Sequence, residues 1–302
     1  MTTVKDRESV RFLLLLVLVN LLWGSTFATN KYLLSGGIGP GSLALVRMFI
    51  AGLSVLPFAL WFRIPFPQGR DFLDACMLGF LANGLAVPIE YVGTQWTTAS
   101  NVAVLIATEA AQCMILGAIF YRERITHRKI FGFVFCLGGA CVVLWKDLIQ
   151  TSLLSSETFK GDLLVLLAAF FYALYTIRAK SVTVRCPPQT LFVTVALASC
   201  VPLLFWSGGE LVESPPWTYS LGTWLGILHL AIPCLSIPMV LWYILLRHVS
   251  AGAAGCSIFL QTLFGVFFAA VFLGERPGLP LFFAAGMILV GLYLAVVADR
   301  SA

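Results

Sequence analysis

Residues Tyr91 to Arg124 read YVGTQWTTASNVAVLIATEAAQCMILGAIFYRER, and the pattern returns, altered, from Tyr243 to Arg276 as YILLRHVSAGAAGCSIFLQTLFGVFFAAVFLGER. The two stretches align without a gap. Tyr91 pairs with Tyr243, Ala99 with Ala251, Glu109 with Gln261, and Glu123-Arg124 with Glu275-Arg276. Each copy is a short polar hinge, a membrane-length apolar run rich in small residues, and an acidic-basic stop. In a chain that crosses a membrane, internal repetition of this kind points to transporter architecture.

Working outward, the 302 residues are 60% hydrophobic and 11% charged, with a mean hydropathy of +0.94. A soluble domain carries about 25% charged residues, so the composition is that of a polytopic, all-α membrane protein. A span needs about 20 mostly apolar residues. Runs broken by charge, Pro or Gly place ten expected spans near 12–33, 41–62, 72–94, 98–120, 129–146, 161–181, 189–207, 220–246, 251–273 and 279–298. Lys5, Arg7 and Arg11 precede the first, whose apolar run is too long for a cleaved signal peptide, so it is expected to stay as a helix. With the N-terminus inside, fourteen Lys and Arg fall on the cytoplasmic side and four on the other, which favours both termini in the cytoplasm of a cell (inner or plasma) membrane. The basic loops therefore report orientation and not nucleic acid.

An odd number of spans per repeat forces the second half to enter with opposite polarity. The expected fold is thus ten transmembrane helices as two inverted five-helix repeats. The cysteines lie mostly in apolar runs without C-x-x-C or His spacing, which suggests small hydrophobes and neither a metal site nor a disulfide.

Polar residues inside spans are costly and nominate the site. In span one, Asn20, Gly24, Phe27 and Lys31 share a face at 100° per residue, and Trp23, Gly24 and Lys31 fall opposite Tyr172, Ala173 and Lys180 of span six. Span two holds Arg47, and span three holds Asn83, Glu90 and Thr94 on one face beside Pro88. Arg47 and Glu90 sit at similar depths, as a structural ion pair requires. Span four carries an alanine seam, Ala99, Ala103, Ala107 and Ala111, of the kind that lets helix backbones approach in lipid. Opposite it runs a polar stripe of Thr97, Thr98, Asn101, Thr108, Glu109 and Gln112. Glu109 falls near the midplane, either as a hydrogen-bonded neutral carboxyl or as a proton carrier. Span nine repeats the stripe more weakly with Ser250, Ser257 and Gln261. Span eight spaces His229, Ser236 and Tyr243 by sevens around Pro233 and Pro238, which mark a kinked or discontinuous helix. Spans five and ten are glycine-bearing packing helices and a candidate homodimer surface.

Together these residues resemble a known family. W-G-S-T-F from Trp23, R-M-F-I-A from Arg47, A-S-N-V-A-V-L-I from Ala99 leading to Y-R-E-R-I-T, and A-G-A-A-G leading to L-G-E-R-P-G in the second half are similar to the EamA-type domain of the drug/metabolite transporter (DMT) superfamily. The resemblance covers two domains, 12–146 and 161–298. It implies a central cavity lined by helices one, three, four, six, eight and nine, with five and ten peripheral, and alternating access. Family members often carry proline near positions 110 and 262, where this chain has Ala110 and Thr262.

The expected activity is metabolite efflux by a secondary transporter, most simply export of amino acids or related polar or amphipathic solutes. Asn20, Trp23, Glu90, Asn101, Glu109, Gln112, Tyr172, His229, Ser236 and Gln261 are the expected substrate-binding residues. Glu109 would take a substrate ammonium or a coupling proton. The expected partners are a small-molecule substrate, the lipid bilayer and protons, with no cofactor. An enzyme would need a nucleophile with its base or a metal set, and an ATP-driven pump a Walker loop, and neither pattern is present. An uncoupled facilitator or channel-like pore is the competing reading.

Overall fold

The computed structural model describes residues 4–121, 127, 130–132, 134–135, 138–139, 142, 157–245, 251–276 and 278–300, with backbone alone for 4–13, 110–111, 114, 117–118, 121, 180, 251–260, 288, 292–293 and 295–300. Helices make up the described elements, with no strand among them. In order they are α1 (Val4–Ser35), α2 (Pro40–Trp61), α3 (Arg70–Gly79), a π turn (Phe80–Ala86), α4 (Val87–Trp96), α5 (Ala99–Ile106), α6 (Glu109–Tyr121), α7 (Glu157–Arg185), α8 (Pro188–Glu213), α9 (Leu221–Ala231), a second π turn (Ile232–Ser236), α10 (Ile237–Leu245), α11 (Ala251–Leu273) and α12 (Leu279–Arg300). Among the described residues, five continuous stretches are long and apolar enough to cross a membrane: Pro40–Trp61, Arg70–Trp96, Glu157–Arg185, Pro188–Glu213 and Leu221–Leu245. More than half of the expected fifth span, 129–146, lies outside the described residues, as do Glu123, Arg124 and Ser250. Gly138, which is described, lies against Met287 of α12.

Local chemistry sets the helix starts. Proline opens α2 and α8, where its missing N–H costs nothing. Thr98 and Ser220 accept the backbone N–H of Asn101 and Thr223 as N-caps of α5 and α9. The span expected to end at 207 is corrected, because α8 runs on to Glu213. That extension lets Glu210 reach back to the first turn of α2, accepting the Ser42 N–H at 2.7 Å.

Two further departures concern helix continuity. The span expected at 98–120 is interrupted at Ala107-Thr108, between α5 and α6. No proline is involved. The Thr108 hydroxyl donates to Leu105 O at 2.6 Å, and back-bonding of this kind bends a helix. The two π turns begin at Phe80 and Ile232, the same offset that pairs Tyr91 with Tyr243. Pro88, Pro233 and Pro238 each remove a ladder N–H in or beside these turns, and single π turns inside α-helices tend to mark functional sites.

Small residues bring the helices together. α2 packs along α8, α1 along α11 and α4 along α7. A Cβ on Gly93 would sit 2.8 Å from Gly161 O, and one on Gly161 would sit 2.8 Å from Gly93 O. A Cβ on Gly265 of α11 would meet Ala103 of α5 and Phe27 of α1, each at 2.7 Å. Large apolar side chains such as Trp61, Phe205 and Phe272 remain exposed at 83%, 86% and 70%. A surface this apolar suits lipid as the solvent.

The ends of the bundle are tied by polar contacts. At the end that holds the C-terminus of α1, Lys31 Nζ donates to Thr94 O (2.8 Å) and Gln95 O (3.0 Å). There Glu275 also receives Ala99 N, Ser100 N and Ser100 Oγ at 2.8, 3.0 and 2.6 Å. A carboxylate from the α11–α12 connector thus caps α5, where the helix dipole favours negative charge. At the opposite end Arg185 of α7 bridges Asp71 (2.7 Å) and Asp74 (2.8 Å) of α3.

Candidate functional site

The polar interior is arranged around one face of α7. Tyr172, Tyr175 and Thr176 follow each other at helical spacing, and each meets a different partner helix. Tyr172 Oη donates to Glu90 Oε2 of α4 at 2.7 Å. Tyr175 Oη lies 2.6 Å from Tyr243 Oη of α10. Thr176 Oγ1 donates to Glu109 Oε1 of α6 at 2.8 Å. Two carboxyl groups from different helices therefore meet hydroxyls one turn apart on α7. Tyr175 and Thr176 were not among the expected residues; their spacing from Tyr172 was the available signal.

Arg47 and Glu90 do not form the ion pair expected from their depth. The Arg47 guanidinium donates through Nη1 to the Tyr91 hydroxyl, while Glu90 takes Tyr172. Adjacent positions on α4 point about 100° apart, so Glu90 and Tyr91 face different neighbours. Arg47 is buried and its Nε has no protein partner. A buried charge with an unused donor is costly unless something else pairs with it.

The other expected residues separate into distinct places. Asn20 is fully buried, its Nδ2 donating to Leu16 O at 2.7 Å and its Oδ1 without a partner. Trp23 meets Trp242 of α10 edge-on, with ring centroids 5.3 Å apart. Gln112 Nε2 donates to Thr108 Oγ1 at 3.2 Å, across the helix break. Gln261 is half-buried where α11 passes Gly24 of α1. Asn101 sits toward the Glu275 end, its Nδ2 donating to Thr97 Oγ1 (3.2 Å) and to Asp162 of α7 (3.2 and 3.3 Å). Thr97 donates to the same carboxylate. Asp162 was missed because it reads as a helix-start acid. The span-four stripe nonetheless follows α7, from Asp162 at one end to Thr176 at the other.

Two expected residues stand apart from α7. Ser236 is buried in the seam between its π turn and α2, bonded to Ser54 Oγ (2.8 Å), Ala51 O (3.1 Å) and Ala231 O (2.9 Å). His229 joins Ser25 of α1 and Cys234, with Nε2 at 3.0 Å from Oγ and 3.2 Å from Sγ. Ser25 projects about 160° around α1 from Trp23.

Residues 10–145 and 159–297 match the EamA-like transporter family. The chain belongs to this family. An uncharacterized transporter of Archaeoglobus fulgidus is 27% identical over 288 residues, covering 93% of this chain and 96% of its own. A Salmonella typhimurium protein named as a probable amino-acid metabolite efflux pump is 26% identical over 309 residues, covering 96% and 95%. One solved crystal structure superposes with a TM-score of 0.68 at 16% identity, over 97% of this chain and 98% of that one, and so shares the fold. This EamA-family chain is accordingly a multi-pass membrane transporter of the drug/metabolite type and not an enzyme. It works on a small-molecule substrate within lipid.

Proposed function

We propose that this transporter exports amino acids or closely related solutes by alternating access, with Glu109 carrying a coupling proton. The observation that carries the reading is the α7 face. Glu90 and Glu109 offer two acidic positions for a substrate ammonium or a proton, and buried Arg47 keeps a free Nε–H suited to a carboxylate. Asn20, Trp23, Gln112, Gln261 and Asn101 would line the same path, with Asn101 at the outer end. The name of the Salmonella relative speaks for the substrate class.

Architecture supports alternating access. The proposed fold is ten spans in two inverted repeats, 12–146 and 161–298, with both termini in the cytoplasm of the inner (plasma) membrane. Under the repeat alignment span one exchanges with span six and span nine with span four. The pair α1–α11 and the packing of α7 on α5 and α6 are related in this way, as are the two π turns. Broken helices near the midplane, here at Ala107-Thr108, are where transporters hold substrate and coupling ion. A homodimer through α12 is part of the proposal.

The test is uptake and efflux of radiolabelled amino acids in proteoliposomes, with and without an imposed pH gradient. Wild type should move a substrate and respond to the gradient. Glu109→Gln should lose the response while still binding substrate, and Glu90→Gln should lose binding. Gradient-independent flux that survives Glu109→Gln would make the protein an uncoupled facilitator.

A further inference from the structure

A second polar site lies on the far side of α1 from the α7 face. Helices α9 and α11 both pack on α1. Between them runs a groove of about 480 Å³ whose walls include Leu21, Ala28, Phe268 and Phe272. Its volume is within the range of small-molecule pockets, about 300–1,000 Å³. Phe272 and Tyr32 at its margin are exposed at 70% and 59%, so the groove opens toward lipid.

The floor is polar. Ser25 Oγ donates to Leu22 O at 2.8 Å. The same oxygen lies 3.0 Å from His229 Nε2 and, with its own proton on Leu22 O, accepts there in the tautomer that carries the imidazole proton on Nε2. Cys234 Sγ closes the cluster, 3.3 Å from Ser25 Oγ and 3.2 Å from Nε2. In that tautomer Nδ1 is an acceptor, and no described hydrogen bond uses it. His229 is half-buried and lines the groove, and a polar side chain inside a span asks for a partner.

Depth narrows the ligand. Ser25 is ten residues from the end of α1 and His229 eight from the start of α9, roughly 15 and 12 Å at 1.5 Å per residue. The floor is therefore near the middle of a hydrocarbon core about 30 Å thick. A phospholipid held by its headgroup would bring only a methyl terminus there. A small molecule with an apolar body and one O–H or N–H donor satisfies both walls and floor.

We propose that this groove binds an uncharged, membrane-partitioned amphipath, such as an alcohol, phenol or amide, whose donor bonds His229 Nδ1. The site is separate from the transport path, and binding to it is measurable without any flux.

The experiment photolabels the full-length protein in liposomes with a diazirine-bearing octanol and maps the adducts by peptide mass spectrometry. Adducts should fall on the α1 and α11 peptides that hold Thr29, Phe268 and Phe272, and excess octan-1-ol should displace them where octane does not. His229→Phe should cut labelling about fivefold, the loss of one hydrogen bond. His229→Gln, which retains an acceptor, should keep most of it. If His229→Phe does not fold, Leu21→Trp, which adds bulk to the groove wall, should abolish the same adducts. Equal labelling by a diazirine-bearing octane, or labelling unchanged in every folded variant, would reduce the groove to an ordinary lipid-facing cleft and overturn the assignment.

Discussion

The stretch around Glu109 and its counterpart around Gln261 share a pattern of small and apolar residues yet build different helices. The first is broken at Ala107-Thr108, and Glu109 opens the new segment. The second, α11, runs unbroken from Ala251 to Leu273. The repeat partner of Thr108 is Leu260, which has no hydroxyl to compete for a backbone carbonyl. Cys113 in the first half is matched by Gly265 in the second, and the glycine allows α11 to lie directly on Ala103 and Phe27. One half thus carries a polar interruption and an acid, and the other supplies a straight packing surface. A single hydroxyl and a single missing Cβ account for much of that difference.

Moving the acid between halves should have the largest effect. Glu109→Gln combined with Gln261→Glu is expected to leave gradient-driven flux at the protein-free background. The transplanted carboxyl has neither Thr176 beside it nor a helix break to expose it. Recovery of flux in the double variant, measured in proteoliposomes, would show the halves to be interchangeable at this position.

Filling the glycine comes next. Gly265→Val must displace Ala103 or Phe27, and overpacking of this kind costs about 1–3 kcal/mol. The readout is a lowered unfolding midpoint in detergent. The matching change in the first half, Cys113→Val, should cost less, because Cys113 already has a side chain there, bonded through Sγ to Ala173 O at 3.7 Å.

Removing the hydroxyl is a finer probe. Thr108→Val deletes the bonds to Leu105 O and from Gln112 Nε2, a loss of about 1 kcal/mol. Amide exchange at positions 108–111 should slow as the helix closes over the gap. Unchanged exchange would assign the break to packing against α7 instead. The smallest effect is expected from Leu260→Thr, since one back-bond bends a helix slightly without breaking it. Only a modest rise in exchange near Gln261 should follow.

Much of the fold was legible in the chain. The expected spans at 41–62, 72–94, 220–246 and 251–273 lie within a few residues of the helical stretches found, because apolar length and proline placement are local properties. The candidate site was legible in part. Glu90, Glu109 and Tyr172 stood out as polar residues in apolar runs, and the structure brings all three to α7. Their partners were not visible. Arg47 and Glu90 suit each other by charge and depth, yet neighbouring tyrosines take both. Which of two adjacent α4 residues faces α2 depends on rotation about the helix axis, and depth along the chain does not encode it. His229 illustrates the same limit. Its seven-residue spacing to Ser236 suggested one shared lining, whereas a π turn intervenes and resets the angular phase.

The sequence by itself determined that the chain lives in a membrane, roughly where most of its apolar helices run, and that a sequence pattern of its first half recurs in the second. Each of these follows from composition and from interactions within a few residues. Tertiary structure alone decided which polar groups meet. A side chain's partner is fixed by how helices distant in sequence rotate and approach, and that is set by small residues such as Gly93, Gly161 and Gly265, which carry no chemistry of their own.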